Sequence, residues 1–113
     1  MADDSSMLRN KSCISCAEGG DPLPENRVRE LLAAVDGWST VDNGKAIART
    51  FEFASFYETM SFVNALAHVV NREDHHPDLE VSYGKCTAKF WTHTVGGLSE
   101  NDFICAAKID VLV

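Results

Sequence analysis

The sequence predicts an α+β domain: a four-stranded, mainly antiparallel sheet with its helices on one face, in the order α-β-β-α-β-β-α. Asn43-Gly44 lies between two strand-like runs, and a tight hairpin turn needs the positive φ that Asn and Gly tolerate. Tyr83-Gly84-Lys85 separates a second pair of alternating runs. Each pair follows a segment whose apolar residues recur at helical spacing.

The chain has 113 residues, 45% of them hydrophobic, which suits one domain with a real core. Residues 1 to 22 read as a flexible leader, closed by Gly19-Gly20, Pro22 and Pro24, and residues 23 to 113 as the folded domain. Val28, Leu31, Leu32 and Val35 predict a first helix over about 25 to 35, stopped at Gly37. Strands are expected at about 38 to 42 and 46 to 53. In the second of these, Ile47, Arg49, Phe51 and Phe53 share one face. Ser55 with Glu58 makes a capping-box start for a long helix, whose apolar face is Phe62, Val63, Leu66, Val69 and Val70. Leu79, Val81 and Tyr83 then alternate with polar residues as a third strand, and Cys86 to Thr94 alternates as a fourth. There Cys86, Ala88, Phe90 and Thr92 share one face, and Thr87, Lys89, Trp91 and His93 the other. Ser99 as N-cap with Asp102 three residues on starts the last helix, with Phe103, Ile104, Ala107 and Val111 on its apolar side.

The net charge is −7, from 17 acidic against 10 basic residues, so the basic footprint of a nucleic-acid binder is absent. No apolar run approaches the roughly 18 to 20 residues that cross a bilayer, and the start, "MADDSS", lacks the layout of a secretory signal. A cytosolic protein is expected, with the nucleus as a further compartment. Cys13-x-x-Cys16 has the spacing of half a zinc site or a redox pair, but its setting has neither a preceding strand nor further ligands, and it reads as two thiols on the leader. Cys86 and Cys105 read as small core residues.

The chemistry concentrates in "EDHHPDLEVSY". Adjacent side chains diverge in any regular element, so His75-His76 converges on one target only where the helix has ended. Pro77 disfavours helical geometry at His76 and so favours that ending. A hairpin of this length returns His93 toward the same corner. Three readings stand on the residues alone. As a metal site, adjacent histidines make an awkward chelate with no supporting His-x-His or Cys cluster. As a structural corner, they hydrogen-bond only loop backbone. As an acid/base site, they use imidazoles that titrate near neutral pH, one donating and one accepting a proton across a flat substrate. No Ser or Cys has the setting of a hydrolase nucleophile. His68 reads as an ordinary helix histidine and Lys89 as a solvated strand residue.

The run "DHHPDLEVSYGKCTAKFWTHTVGGLSENDF" resembles the pterin-4a-carbinolamine dehydratase family. His75-His76-Pro77, an aromatic after five residues (Tyr83), a His after nine more (His93) and the later Asp102 keep that family's spacing. The likeness extends back through "GW", "ARTFEF" and "FYETMSFVNALAHVV", over about residues 23 to 113. Four residues before His75, where the family usually has a charged residue or His, this chain has Asn71. The resemblance implies dehydration of a 4a-hydroxytetrahydropterin to the quinonoid dihydropterin. No metal or organic cofactor is needed, because the N5 lone pair drives the hydroxyl out. His75 and His76 are then candidate acid and base, and His93 orients the substrate or shares the proton transfer. Asp102, Trp91, Asp74 and Pro77 are candidate substrate contacts, Asp102 and Trp91 having cap and core roles as their plainer alternatives. Implied partners are the pterin, an aromatic amino-acid hydroxylase as a functional link, and further copies of the chain in a dimer or tetramer with the last helix as a self-association surface. A second implied function is a binding module, since some family members are dimerisation cofactors of a homeodomain transcription factor.

Overall fold

A computed structural model describes residues 4–14 and 20–113. Among these, four strands form one antiparallel sheet in the order β1-β2-β4-β3, with the helices on one face. The elements are α1 (Asp4–Arg9), α2 (Glu25–Ala34), β1 (Ser39–Val41), β2 (Ala46–Glu52), α3 (Phe56–Glu73), β3 (Asp78–Val81), β4 (Lys85–Phe90) and α4 (Glu100–Asp110). The two hairpins join through their second strands, with Ile47 opposite Phe90 and Phe51 opposite Cys86. Opposed residues share a face, so Ile47, Phe51, Cys86, Ala88 and Phe90 all point at the helices and are buried. The faces therefore divide as the alternation predicts. Thr50, Glu52 and Lys85 lie exposed on the other side.

Local chemistry shows why the helices start and stop where they do. The Ser55 hydroxyl accepts the Glu58 N–H at 3.1 Å, and the Glu58 carboxylate accepts the Ala54 N–H at 3.2 Å, so the cap satisfies two donors at the start of α3. That helix buries Thr59, Phe62, Leu66 and Val70, and Val63 and Val69 pack as partly buried flanks. At its far end Asp74 takes a left-handed conformation with φ 55°. The helix thus ends two residues before Pro77 would oblige His76 to leave it. Trp38 fills the space between strand and helix layers, packed on Phe51 and Phe90. Its indole N–H donates to Asp110 at 2.9 Å, and Arg49 reaches the same carboxylate at 2.8 Å. Burial pushes the Asp110 carboxyl up from its ordinary value, and the indole and guanidinium donors offset this only in part.

The Asn43-Gly44 hairpin turn forms as expected: both residues have positive φ (59° and 82°), and the Lys45 N–H bonds the Asp42 carbonyl across them at 3.2 Å. Asp42 adds a third left-handed residue (φ 55°), and the Gly44 N–H bonds the Val41 carbonyl at 3.1 Å. Asp tolerates the left-handed region well enough to permit this. The second turn places Gly84 where a Cβ would meet the Phe53 carbonyl at 2.9 Å, so only glycine fits unmoved. β4 stops at Phe90 rather than running to Thr94. Thr92 pairs with Gly97, and the residues between them close as a 3₁₀ turn (His93–Val95) ending on the left-handed Gly96. The last helix, expected as a self-association surface, is buried along almost its whole length, so it cannot present one.

The segment read as a leader contributes α1, whose Leu8 is 3% exposed in the core. The Lys108 ammonium donates to the Arg9 carbonyl, and the Cys13 N–H donates to Glu73 at 2.8 Å. Cys13 Sγ lies 3.6 Å from the buried Cys105 Sγ; this contact and burial push the Cys105 thiol up. Cys86 and Cys105 are core residues as expected, and Cys16 lies outside the described residues. No helix is long and apolar enough to cross a membrane among the described residues.

Two outcomes follow for stability. Leu66 is fully buried between α3 and the sheet, and Leu66→Ala should cost about 2–5 kcal/mol in denaturant unfolding. Burial alone would raise the Glu73 carboxyl, but the Cys13 N–H and the Lys108 ammonium outweigh it and hold it below its ordinary 4.5. With the folded pKa below the unfolded one, this stabilisation is present above pH 4.5 and lost as the pH falls through the folded value. The stability gap between wild type and Glu73→Gln should therefore be widest near neutrality and narrow on acidification.

Candidate active site

The helix α3 corner, the turn after β4 and the start of α4 meet at a cavity of about 420 Å³, lined by Asp74, His75, His76, Trp91, Thr92 and His93, with Ile14, Thr94 and Asn101 completing it. All three histidines singled out in the sequence share it. The left-handed Asp74 makes this possible, because it turns the chain out of the helix just before the two imidazoles. His93 arrives on the 3₁₀ turn rather than on a strand end. Trp91 stacks on His93 with ring centroids 4.5 Å apart, and Lys89 sits over the same indole at 5.2 Å. Lys89 also pairs with Asp42 at 2.8 Å, so it is tied down rather than simply solvated.

His75 is the most constrained of the three. Its ring lies parallel to Phe90 with an interplanar angle of 7°, and its Nε2 is 2.6 Å from Asp102 Oδ1. Asp102 has no exposed surface. Its other oxygen accepts the Thr92 hydroxyl and the Ser99 N–H, each at 2.9 Å. The residue is therefore a helix cap and a histidine partner at once, and it stands behind the cavity wall rather than in it. With Nε2–H given to this carboxylate, Nδ1 is the His75 nitrogen left to exchange a proton with a ligand. His76 is exposed, and its Nε2 lies 3.1 Å from Asn71 Oδ1. Asn71 thus stands behind one imidazole as an orienting amide, and Glu73 is turned away toward Cys13 and Lys108. His93 is exposed on the cavity rim.

The remaining sequence candidates divide. Asp74 and Trp91 line the cavity, whereas Pro77 is half-buried at the entry to β3 and is not part of the lining. Tyr83 is 68% exposed on the second hairpin turn, stacked on Phe56 and outside the lining. His68 is exposed on α3. Sequence reasoning missed Thr92, Asn101 and Ile14. Thr92 reads as a buried strand residue, and its partnership with Asp102 depends on the turn that brings Gly97 back. No group of three or more side chains able to hold a metal ion occurs among the described residues. A larger groove of about 780 Å³ lies along β2 and α3, lined by residues such as Phe53, Tyr57, Phe62 and Leu112, and contains no histidine.

This arrangement can hold a flat ligand against two oriented imidazoles and deliver or remove a proton at two separate atoms. The family model for pterin 4 alpha carbinolamine dehydratase matches residues 21–112. A protein of Nitrosospira multiformis assigned as a pterin-4-alpha-carbinolamine dehydratase is 50% identical over 105 residues, 93% of this chain and 91% of its own. One from Xanthomonas campestris pv. campestris with the same assignment is 52% identical over 101 residues, 89% of this chain and 86% of its own. The crystal structure of a transcriptional coactivator/pterin dehydratase from Brucella melitensis superposes with a TM-score of 0.78 at 33% identity, covering 81% of this chain and 98% of that one. The helix-end histidine pair, the third histidine after β4 and the capping aspartate thus lie inside a match that spans nearly the whole chain, and the chain belongs to the pterin 4 alpha carbinolamine dehydratase family.

Proposed function

We propose that the histidine cavity dehydrates a 4a-hydroxytetrahydropterin to the quinonoid dihydropterin and water. The observation that carries this is the convergence of His75, His76 and His93 on one cavity, with His75 held by the buried Asp102. The chemistry needs two proton movements. The C4a hydroxyl leaves as water once protonated, and N5 loses its proton as its lone pair forms the new C=N bond. His75 and His76, each oriented through Nε2 by a neighbour, exchange these two protons at their Nδ1 atoms. His93, stacked on Trp91, orients the ring at the rim. Neither bond change requires an electron acceptor or a metal.

In this reading the protein returns pterin to use after an aromatic amino-acid hydroxylase has consumed it, in the cytoplasm, and works as a homo-oligomer. β3 is a sheet edge whose Leu79 and Val81 are 36% and 41% exposed, so it offers the strand surface on which copies can pair. A second reading is a binding module, favoured by the coactivator description of the Brucella protein at 33% identity. Binding alone would not need three histidines to converge on one cavity.

In a hydroxylase-coupled assay the purified protein should accelerate decay of the 4a-carbinolamine, with or without a chelator. His75→Ala with His76→Ala should lower kcat by about 10²- to 10⁴-fold or to the uncatalysed rate. An unaltered rate in the double variant rejects acid/base catalysis at this corner. No acceleration by wild type, with capture of a partner helix, favours the binding module. Asp102→Asn keeps the shape but weakens both the His75 contact and the cap. It should lower kcat more than it raises KM, and should cost about 0.5–2 kcal/mol of stability through the cap, read by thermal unfolding.

A further inference from the structure

We infer that Ile14 is a specificity-determining contact of the histidine cavity, held at its rim by a side-chain amide clamp from Asn101 and meeting an apolar face or edge of the flat heterocycle. This rests on the reading of the cavity as a pterin site.

Asn101 is 5% exposed, and its side-chain amide reaches a distant residue. Its Nδ2 donates to the Ile14 carbonyl at 2.6 Å, and its Oδ1 accepts the Ile14 N–H at 3.1 Å. One buried amide thus fixes both backbone polar groups of a residue 87 positions away, as a neighbouring strand would. The approach to Ile14 is fixed too. Leu8 is anchored in the core, Lys11 pairs with Glu100 at 2.9 Å, and the Cys13 N–H is held by Glu73.

The side chain so positioned takes no part in the core: Ile14 is 75% exposed. A single exposed isoleucine is ordinary on a protein surface. This one is held at both backbone groups by a buried amide, and it lines a cavity walled mainly by polar side chains: three histidines, Asp74, two threonines and Asn101. Among the described residues, its one large apolar companion in the lining is Trp91. A fused heterocycle has polar edges that suit the histidines and carbons that do not. Ile14 supplies branched apolar surface for those carbons without offering a competing hydrogen bond.

The test is to compare wild type, Ile14→Ala, Ile14→Val and Asn101→Ala. The readouts are carbinolamine kinetics, fluorescence titration with a non-reactive oxidised pterin, and thermal unfolding. Ile14→Ala should raise both KM and the pterin Kd by about 3- to 10-fold, the expected effect of removing partly buried methyl groups from a ligand contact. The loss should fall on KM rather than kcat, with an unchanged Tm, and Ile14→Val should recover most of the affinity. Asn101→Ala should weaken pterin binding similarly, and combining it with Ile14→Ala should add little, since both remove one contact. Unchanged pterin affinity in a folded Ile14→Ala protein overturns the inference while leaving the catalytic reading intact. Wild type that neither binds pterin nor speeds dehydration overturns both.

Discussion

The Asp102 carboxylate, with no surface exposed to water, joins three parts of the chain: the start of α4, the exit of β4 and the corner after α3. A carboxylate withdrawn from solvent costs several kcal/mol unless its oxygens are matched by donors. Here Ser99 N–H, Thr92 hydroxyl and His75 Nε2 supply them, and the Thr92 hydroxyl is also 2.7 Å from the Ser99 hydroxyl. Because the contacts come from separate elements, Asp102 is satisfied only when those elements are docked together. The fold and the orientation of one imidazole therefore depend on the same few hydrogen bonds.

The sheet supplies the floor on which that arrangement rests. Phe90 is the last residue of β4, and it lies parallel beneath His75 while also meeting Trp38. One apolar ring thus couples the histidine corner to the core. Just past the end of β4, Trp91 and His93 stack on each other in the cavity lining, with His93 exposed. The chain thus divides here between packing and cavity wall: Phe90 enters the core and Trp91, the next residue, lines the cavity.

That division was largely legible in the sequence, because period-two alternation and capping chemistry are local signals. Ser55-Glu58 and Ser99-Asp102 each announced a helix start; the reciprocal box forms at Ser99-Asp102, while Glu58 reaches past the Ser55 cap to the Ala54 N–H. The histidines were found through the proline that follows them. What could not be read were contacts between residues far apart in the chain. Asp102 in capping position looks the same whether or not a histidine lies behind it, and Asn101 gives no sign that its amide will hold Ile14. The return of Thr92 onto Gly97 was hidden because Trp91–Thr94 keeps a strand-like pattern of residue types even as the backbone curls. The N-terminal segment misled through composition: small and breaker residues mask the one leucine that reaches the core.

Asp74 has a consequence for how this family is compared across organisms. Its φ of 55° is a conformation that costs most L-residues about 1–2 kcal/mol, and which Gly, Asn and Asp tolerate best. A restricted choice of residues at this position would be expected from backbone geometry alone. Persistence of an acidic side chain beside the histidine pair is thus a poor guide to proton chemistry. Asp, Asn and Gly can all make the same bend, so only a contrast among these three at position 74 of one otherwise unchanged chain isolates the charge.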